Sequence, residues 1–118
     1  MAGAELSTRE CDGQVVVTLS GELDVTDAAR VAAALAVIAA SGRPIIVDLA
    51  LLEFIDSSGL AALVRARHHA RNTGFDMLLA APRPQVQRML AITRLAEVFT
   101  VHACVSEATR TPAFLAAT

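Results

Sequence analysis

Short apolar segments typical of β-strands alternate along this chain with longer segments that have helical periodicity. Residues 14–20 (QVVVTLS) and 45–49 (IIVDL) are predicted to be strands, because both are rich in Val, Ile and Leu. A helical pattern of apolar residues follows each of them, and such alternation favours crossover connections between parallel strands. We therefore predict an α/β fold, with helices packed on a mixed, mostly parallel sheet.

The predicted elements cover most of the chain. Strands are expected at residues 5–10, 14–20, 45–49, 76–81 and 99–103, and helices at residues 28–40, from 57 or 58 to about 72, after Pro84, and from 106 until Pro112. The turn signal Asp12-Gly13 joins the first two strands into an N-terminal hairpin with an irregular edge strand. On the second helix, Leu60, Leu63 and Val64 are expected to face the core.

Length and composition limit the classes of protein that fit this chain. Its 118 residues suit one domain, with a core over about residues 5–108 and a C-terminal tail over 109–118. The 54% hydrophobic content is too high for a disordered chain. The apolar stretch 31–40 is too short to span a membrane and no signal peptide is evident, so we expect a cytoplasmic protein without membrane association. The net charge of −2 argues against direct nucleic-acid binding.

The cysteines and the paired histidines give no metal-site pattern. Cys11 and Cys104 are far apart in the sequence and lack zinc-ligand spacing, so we expect free thiols. His68 and His69 are adjacent on a predicted helix, and their side chains diverge by about 100°. One is expected at the boundary of the core and the other in solvent. The sequence thus predicts no metal and no cofactor.

Polar residues follow two of the predicted strands. Residues 56–59 (DSSG) precede the second helix, and residues 20–24 (SGELD) are expected to form the loop before the first helix. Because the carboxyl ends of parallel strands share one edge of a sheet, Asp24 is placed to approach Asp56 and Ser57. A phosphoryl group at a helix N-terminus is stabilised by the helix dipole and adds about −1.5 to −2 charge. The structural alternative for the second motif is that its two serines and glycine only cap the second helix. For Glu22 and Asp24 it is a turn with acidic residues at the start of the first helix, which Thr26 or Asp27 would cap.

These motifs resemble those of anti-sigma-factor antagonists of the STAS domain family. Residues 21–24 (GELD) and 54–60 (FIDSSGL) are similar to the hallmark pattern of that family, and residues 45–49 and 89–99 (MLAITRLAEVF) agree with it in register. The similarity extends from about residue 15 to residue 108. The resemblance implies a STAS-like fold and Ser57 as the phosphoacceptor. The remaining residues that we assign to partner binding at these motifs are Glu22, Asp24, Asp56, Ser58 and Gly59.

The resemblance also implies a regulatory cycle in transcription and the stress response. The unphosphorylated protein would bind an anti-sigma factor, which is an ATP-dependent serine kinase, and thereby release a sigma factor. Phosphorylation of Ser57 by that kinase would end the binding, and a serine phosphatase would reset the protein. Arg94 stands where family members often have glycine, which readily adopts a left-handed turn. Arg94 is therefore expected either to extend the helix or to make a local charge contact.

Other functions are less consistent with the sequence. An enzyme is not expected, because Ser57 lacks a nucleophile-elbow motif and His68 lies more than about 15 Å farther along the same helix. Alternatives are a scaffold subunit of a signalling complex, a soluble component of a transporter, or a small-ligand sensor. Around the two histidines, Arg65, Arg67 and Arg71 form either a solvated basic face or a docking surface for acidic groups.

Overall fold

The computed structural model describes residues 3–110, which form a five-stranded sheet covered by helices. The strands are β1 (Ala4–Cys11), β2 (Gln14–Leu23), β3 (Ile45–Ile55), β4 (Met77–Ala80) and β5 (Val101–His102). The helices are α1 (Val25–Ala39), α2 (Ser57–Asn72), α3 (Pro84–Ile92) and α4 (Val105–Thr109), with a 3₁₀ turn at Leu95–Glu97. The strand order is β1-β2-β3-β4-β5, with β1 antiparallel to β2 and the other pairs parallel. The predicted fold class is confirmed, including the N-terminal hairpin.

The sheet is buried on both faces at its centre. On one face, Val17 and Val47 pack in the main core with the apolar sides of α1, α2 and α3. On the other face, Val16 and Ile46 pack in a smaller cluster with Ala108 of α4. Consecutive residues of β2 and β3 are therefore both buried, which explains why these strands are continuously apolar in the sequence. Most of the predicted tail 109–118 lies outside the described residues.

β2 and β3 are both longer than predicted, and their extensions form the end of the sheet that carries the polar motifs. Gly21 pairs with Ala4 of β1 on one side and with Leu52 of β3 on the other. These backbone pairings override the low strand propensity of the segment, which the sequence analysis assigned to a loop. Gly21 has a φ of 85°, and a Cβ atom there would lie 2.0 Å from the Gly3 carbonyl oxygen, so only glycine fits.

The predicted caps of α1 are wrong, because Asp24 is the residue that caps this helix. The Asp24 side chain accepts a hydrogen bond from the Thr26 backbone N–H at 3.0 Å. Asp27 instead accepts from the Ala4 backbone N–H at 3.0 Å and from Arg30 at 3.1 Å, so it fastens the start of β1 to α1. These donors favour the ionised carboxylate and lower the pKa of Asp27 below its ordinary value.

Two of the three arginines on α2 have a structural role. The Arg67 Nε and Arg71 Nη1 atoms lie 3.4 and 3.5 Å from Asp76 Oδ1, just before β4. The Arg67 guanidinium also lies over the Phe99 ring, 5.9 Å from its centroid. These contacts fasten α2 to the segment before β4 and to Phe99, so Arg67 and Arg71 have partners within the protein and do not only face solvent. Arg65 is exposed and has no ion pair with any residue from 3 to 110.

The histidines and cysteines do not meet in a common site. His68 and His69 are both exposed, so the expectation that one lies at the core boundary is wrong. Cys11 and Cys104 are free thiols, as predicted. Within residues 3–110, no group of His, Cys, Asp and Glu side chains could hold a metal ion. In the same part of the chain, no helix has both the length and the hydropathy needed to cross a membrane.

Candidate functional site

Asp24 and Asp56 lie side by side at the carboxyl end of the sheet. Each directly follows one member of the register pair Leu23 and Ile55, on the parallel strands β2 and β3. The Asp56 backbone N–H also donates to the Leu23 carbonyl oxygen at 3.2 Å. Neighbouring strands lie about 4.8 Å apart, so the starts of α1 and α2 are adjacent. The structure therefore brings the two predicted polar motifs together.

Ser57 is the first residue of α2, and Asp56 fixes its position. The Asp56 side chain caps the helix, with Oδ1 accepting from the Gly59 N–H at 3.0 Å. Ser57 is exposed, whereas Ser58 is half-buried. The 16-residue helix directs the positive end of its dipole towards this position. The Ser57 hydroxyl is thus accessible to a modifying enzyme, at a place where an added phosphate is electrostatically favourable for the helix.

Gly59 is buried where α2 meets the ends of β2 and β3. A Cβ atom there would lie 2.7 Å from the Leu23 carbonyl oxygen and 2.7 Å from Ile55 Cγ1. Both distances are too short for a real contact, so the absence of a side chain lets α2 approach the strands. Gly59, which the sequence analysis assigned to partner binding, is thus buried against the strands, and its side of α2 has no room for a larger residue.

Glu22 lies at the same edge of the sheet but is directed towards the other face. Its neighbour Leu23 is buried in the main core, and successive side chains of a strand point to opposite faces. Glu22 is half-buried and pairs in register with Phe54, which is partly exposed. Glu22 was predicted to bind a partner, but it lies on the face of the sheet opposite α1 and α2.

Gln85 is a part of the site that sequence reasoning missed. β4 ends at Ala80, opposite Asp48 of β3, so the rest of β3 has no strand beside it on that side. Gln85 of α3 takes the place of a strand: its Nε2 donates to the Ile55 carbonyl oxygen at 3.0 Å, and its Oε1 accepts from the Ile55 N–H at 2.9 Å. A single glutamine thus holds the residue that precedes Asp56. No sequence motif indicated this contact.

We expect Gln85→Ala to lower the free energy of unfolding by about 1 to 2 kcal/mol, because it removes two hydrogen bonds in a part-buried position. Urea denaturation followed by circular dichroism measures the change. Gln87→Ala is the matched control, since Gln87 is exposed and makes one hydrogen bond, to the Pro82 carbonyl oxygen. Equal unfolding midpoints for the two variants would show that Gln85 does not support the end of β3.

Arg94 adopts the left-handed turn that glycine would adopt more easily, with φ 63° and ψ 14°. Its Nε lies 3.1 Å from Glu97 Oε2, in the 3₁₀ turn that follows. The expected local charge contact is present, and the alternative of an extended helix is wrong because α3 ends at Ile92. Arg94 therefore has the left-handed backbone conformation that glycine commonly adopts at the end of a helix.

Comparisons with known proteins match the fold over most of the chain. The family profile described as STAS domain matches residues 5–108. BtrV of Bordetella bronchiseptica, which carries the name of an anti-sigma factor antagonist, is 26% identical over 98 residues, covering 82% of this chain and 84% of BtrV. The crystal structure of an anti-sigma factor antagonist from Mycobacterium paratuberculosis has a TM-score of 0.81 and 26% identity, covering 90% of this chain and 91% of that one.

The anti-sigma factor antagonist SpoIIAA has the same fold and has been solved in two states. Its unphosphorylated form has a TM-score of 0.75 and 22% identity, covering 89% of this chain and 93% of SpoIIAA. The phosphorylated form from Bacillus has a TM-score of 0.68 and 22% identity, with coverages of 89% and 96%. This fold therefore occurs in a protein that exists both with and without a phosphoryl group.

Proposed function

Because this chain belongs to the STAS domain family, we propose that it is an anti-sigma-factor antagonist that is switched by phosphorylation of Ser57. In this cycle the unphosphorylated chain binds an anti-sigma factor that is also a serine kinase, and a sigma factor is released. A phosphoryl group on Ser57 ends the binding, and a serine phosphatase restores the hydroxyl. The antagonists among its relatives and structural neighbours support this assignment.

The observation that carries the proposal is the position of Ser57. Its exposed hydroxyl begins α2, directly after Asp56 and beside the strand that leads to Asp24. A kinase can reach a serine only where its side chain is exposed, and Ser57 meets this condition. The alternative that these residues only cap helices does not explain Ser57, because Asp56 supplies the cap of α2.

The two capping carboxylates remain able to bind a partner. Asp24 and Asp56 each use Oδ1 to accept one backbone N–H, and no hydrogen bond within residues 3–110 occupies their Oδ2 atoms. An ionised carboxylate accepts several hydrogen bonds, so each Oδ2 atom can accept from a basic side chain of the anti-sigma factor. Helix capping thus holds both acceptor atoms in fixed orientations, at the edge of the sheet where the anti-sigma factor would bind.

Electrostatics explains why phosphorylation would end binding. During transfer, the kinase must bring the terminal phosphate of ATP to the Ser57 hydroxyl. The product then places about −1.5 to −2 charge opposite the remaining nucleotide phosphates and beside Asp24 and Asp56. Like charges placed together at an interface cost several kcal/mol. The helix dipole stabilises the phosphoserine in the free protein, so dissociation is favoured.

Phosphate transfer to Ser57 tests this function directly. We expect the purified protein to incorporate about one phosphate per chain when it is incubated with ATP and the serine-kinase anti-sigma factor of its own organism. Ser57→Ala should reduce incorporation to background, whereas Ser58→Ala should keep it, and peptide-mapped mass spectrometry should place the phosphate on Ser57. Full phosphorylation of Ser57→Ala, or none of the wild type by any such kinase of that organism, would refute the proposal.

A further inference from the structure

A groove of about 370 Å³ begins at Ser57 and runs along α2. One wall is formed by α2 and the other by the turn that follows α3. The residues used in the argument below are Ser57, Ala61, Val64 and Arg65 on α2, and Thr93 and Leu95 on the opposite wall. The walls are largely apolar, so the groove exposes hydrophobic surface directly beside the phosphoacceptor.

Helical periodicity places the α2 residues of the groove in one stripe. Ala61 and Val64 follow Ser57 by four and seven residues, and Arg65 follows it by eight. At 1.5 Å per residue, Ser57 and Arg65 are about 12 Å apart along the helix. Val64 was predicted to face the core, yet it is 37% exposed, because Leu60 and Leu63 fill the core beneath α2. The stripe of α2 that lines the groove is therefore apolar between Ser57 and Arg65.

Arg65 is available to an external partner. Asp76 engages Arg67 and Arg71, whereas Arg65 has no ion pair within the described part of the chain. A guanidinium beside an apolar groove forms a strong, geometrically specific pair with a carboxylate, because contact with the partner removes competing water. The apolar walls favour an occupant with an apolar side chain. Arg65 favours an acidic residue in that occupant, about two helical turns from Ser57.

We propose that this groove receives a segment of the anti-sigma factor, with an apolar side chain against Ala61 and Val64 and a carboxylate on Arg65. The inference rests on the proposed function, and continuity with Ser57 identifies the occupant. A protein that delivers phosphate to Ser57 must cover the first turn of α2, which is one end of the groove. The same contact strengthens the switch, because a phosphoryl group on Ser57 would have to be desolvated against the apolar occupant.

Binding of the anti-sigma factor that phosphorylates Ser57 tests the groove. Isothermal titration calorimetry with the purified full chains should show Kd raised at least tenfold by Arg65→Glu and about fivefold by Val64→Ser. Both residues are exposed, so the unfolding midpoints should remain close to that of the wild type. Arg9→Glu is the matched control, because Arg9 is exposed on the distant edge strand β1, and its Kd should change less than twofold.

The outcomes separate the groove from the switch. If the wild type is phosphorylated and bound, and both groove variants bind as tightly as the wild type, the groove proposal is overturned and the switch stands. If the wild type is neither bound nor phosphorylated, both proposals fail. If Arg65→Glu alters the sedimentation of the chain alone and leaves Kd unchanged, a second copy of the chain occupies the groove, and the proposal is overturned.

Discussion

Gly59→Ala is expected to lower the free energy of unfolding by about 2 kcal/mol, although alanine is the better helix former. The added Cβ would overlap the Leu23 carbonyl oxygen and the Ile55 side chain, each at 2.7 Å. A carbonyl in the sheet cannot move as a flexible side chain can, so α2 must shift away from β2 and β3. Overpacking of this kind costs about 1 to 3 kcal/mol, and the shift also strains the Asp56 cap. The gain in helix propensity, about 1 kcal/mol, offsets only part of this cost.

Urea denaturation of Gly59→Ala and Ser58→Ala measures the steric effect separately from helix propensity. Ser58 is the neighbouring residue in the same turn and is half-buried. Its replacement by alanine adds no atoms, so we expect a change below about 0.5 kcal/mol in either direction. If Gly59→Ala is as stable as the wild type, α2 does not need its close approach to the strands, and another reason for glycine in this motif must be sought.

The sequence predicted the order of the elements and the meeting of the two polar motifs at one edge of the sheet, because both depend on local patterns. The Val- and Ile-rich segments gave β2 and β3, and the parallel arrangement then placed Asp24 and Asp56 at one edge. The ends of the strands were not predictable. Residues 20–23 look like a turn, and they become strand only because β1 and β3 pair with them on both sides.

The features that the sequence analysis missed depend on contacts between residues distant in the chain. Gln85 completes the edge of β3 from 30 residues away, and Asp27 binds the backbone of Ala4. A glutamine beside Pro84 and an aspartate in the first turn of a helix are both common on protein surfaces. Their roles become visible only when the strand edge and the helix start are placed beside them. The left-handed conformation of Arg94 is a local exception, because it stands directly before the 3₁₀ turn at a residue that does not favour it.

The Ser57→Asp variant, which places a negative charge at the phosphoacceptor, needs two controls. Ser57→Asn separates the effect of charge from that of size, and Ser106→Asp controls for the change in net charge. Asparagine has nearly the volume of aspartate without its charge, so we expect Kd for the anti-sigma factor to rise less than about tenfold, or 1.4 kcal/mol. Ser106 is exposed on α4, on the face of the sheet opposite α2, and its replacement should leave Kd unchanged.

Ser57→Asp is expected to raise Kd for the anti-sigma factor about 100-fold, or about 2.7 kcal/mol at 25 °C. The new carboxylate would lie beside Asp24 and Asp56 and face the nucleotide phosphates of the kinase, so like charges would meet on both sides. The fold should not weaken, because a negative charge at the first residue of α2 interacts favourably with the helix dipole. A loss of affinity at an unchanged or higher unfolding midpoint therefore reports the interface alone. Higher salt should reduce the difference between Ser57→Asp and Ser57→Asn, since exposed charges are screened. Equal losses for the two variants at every salt concentration would mean that the switch acts through size, and the electrostatic mechanism would be wrong.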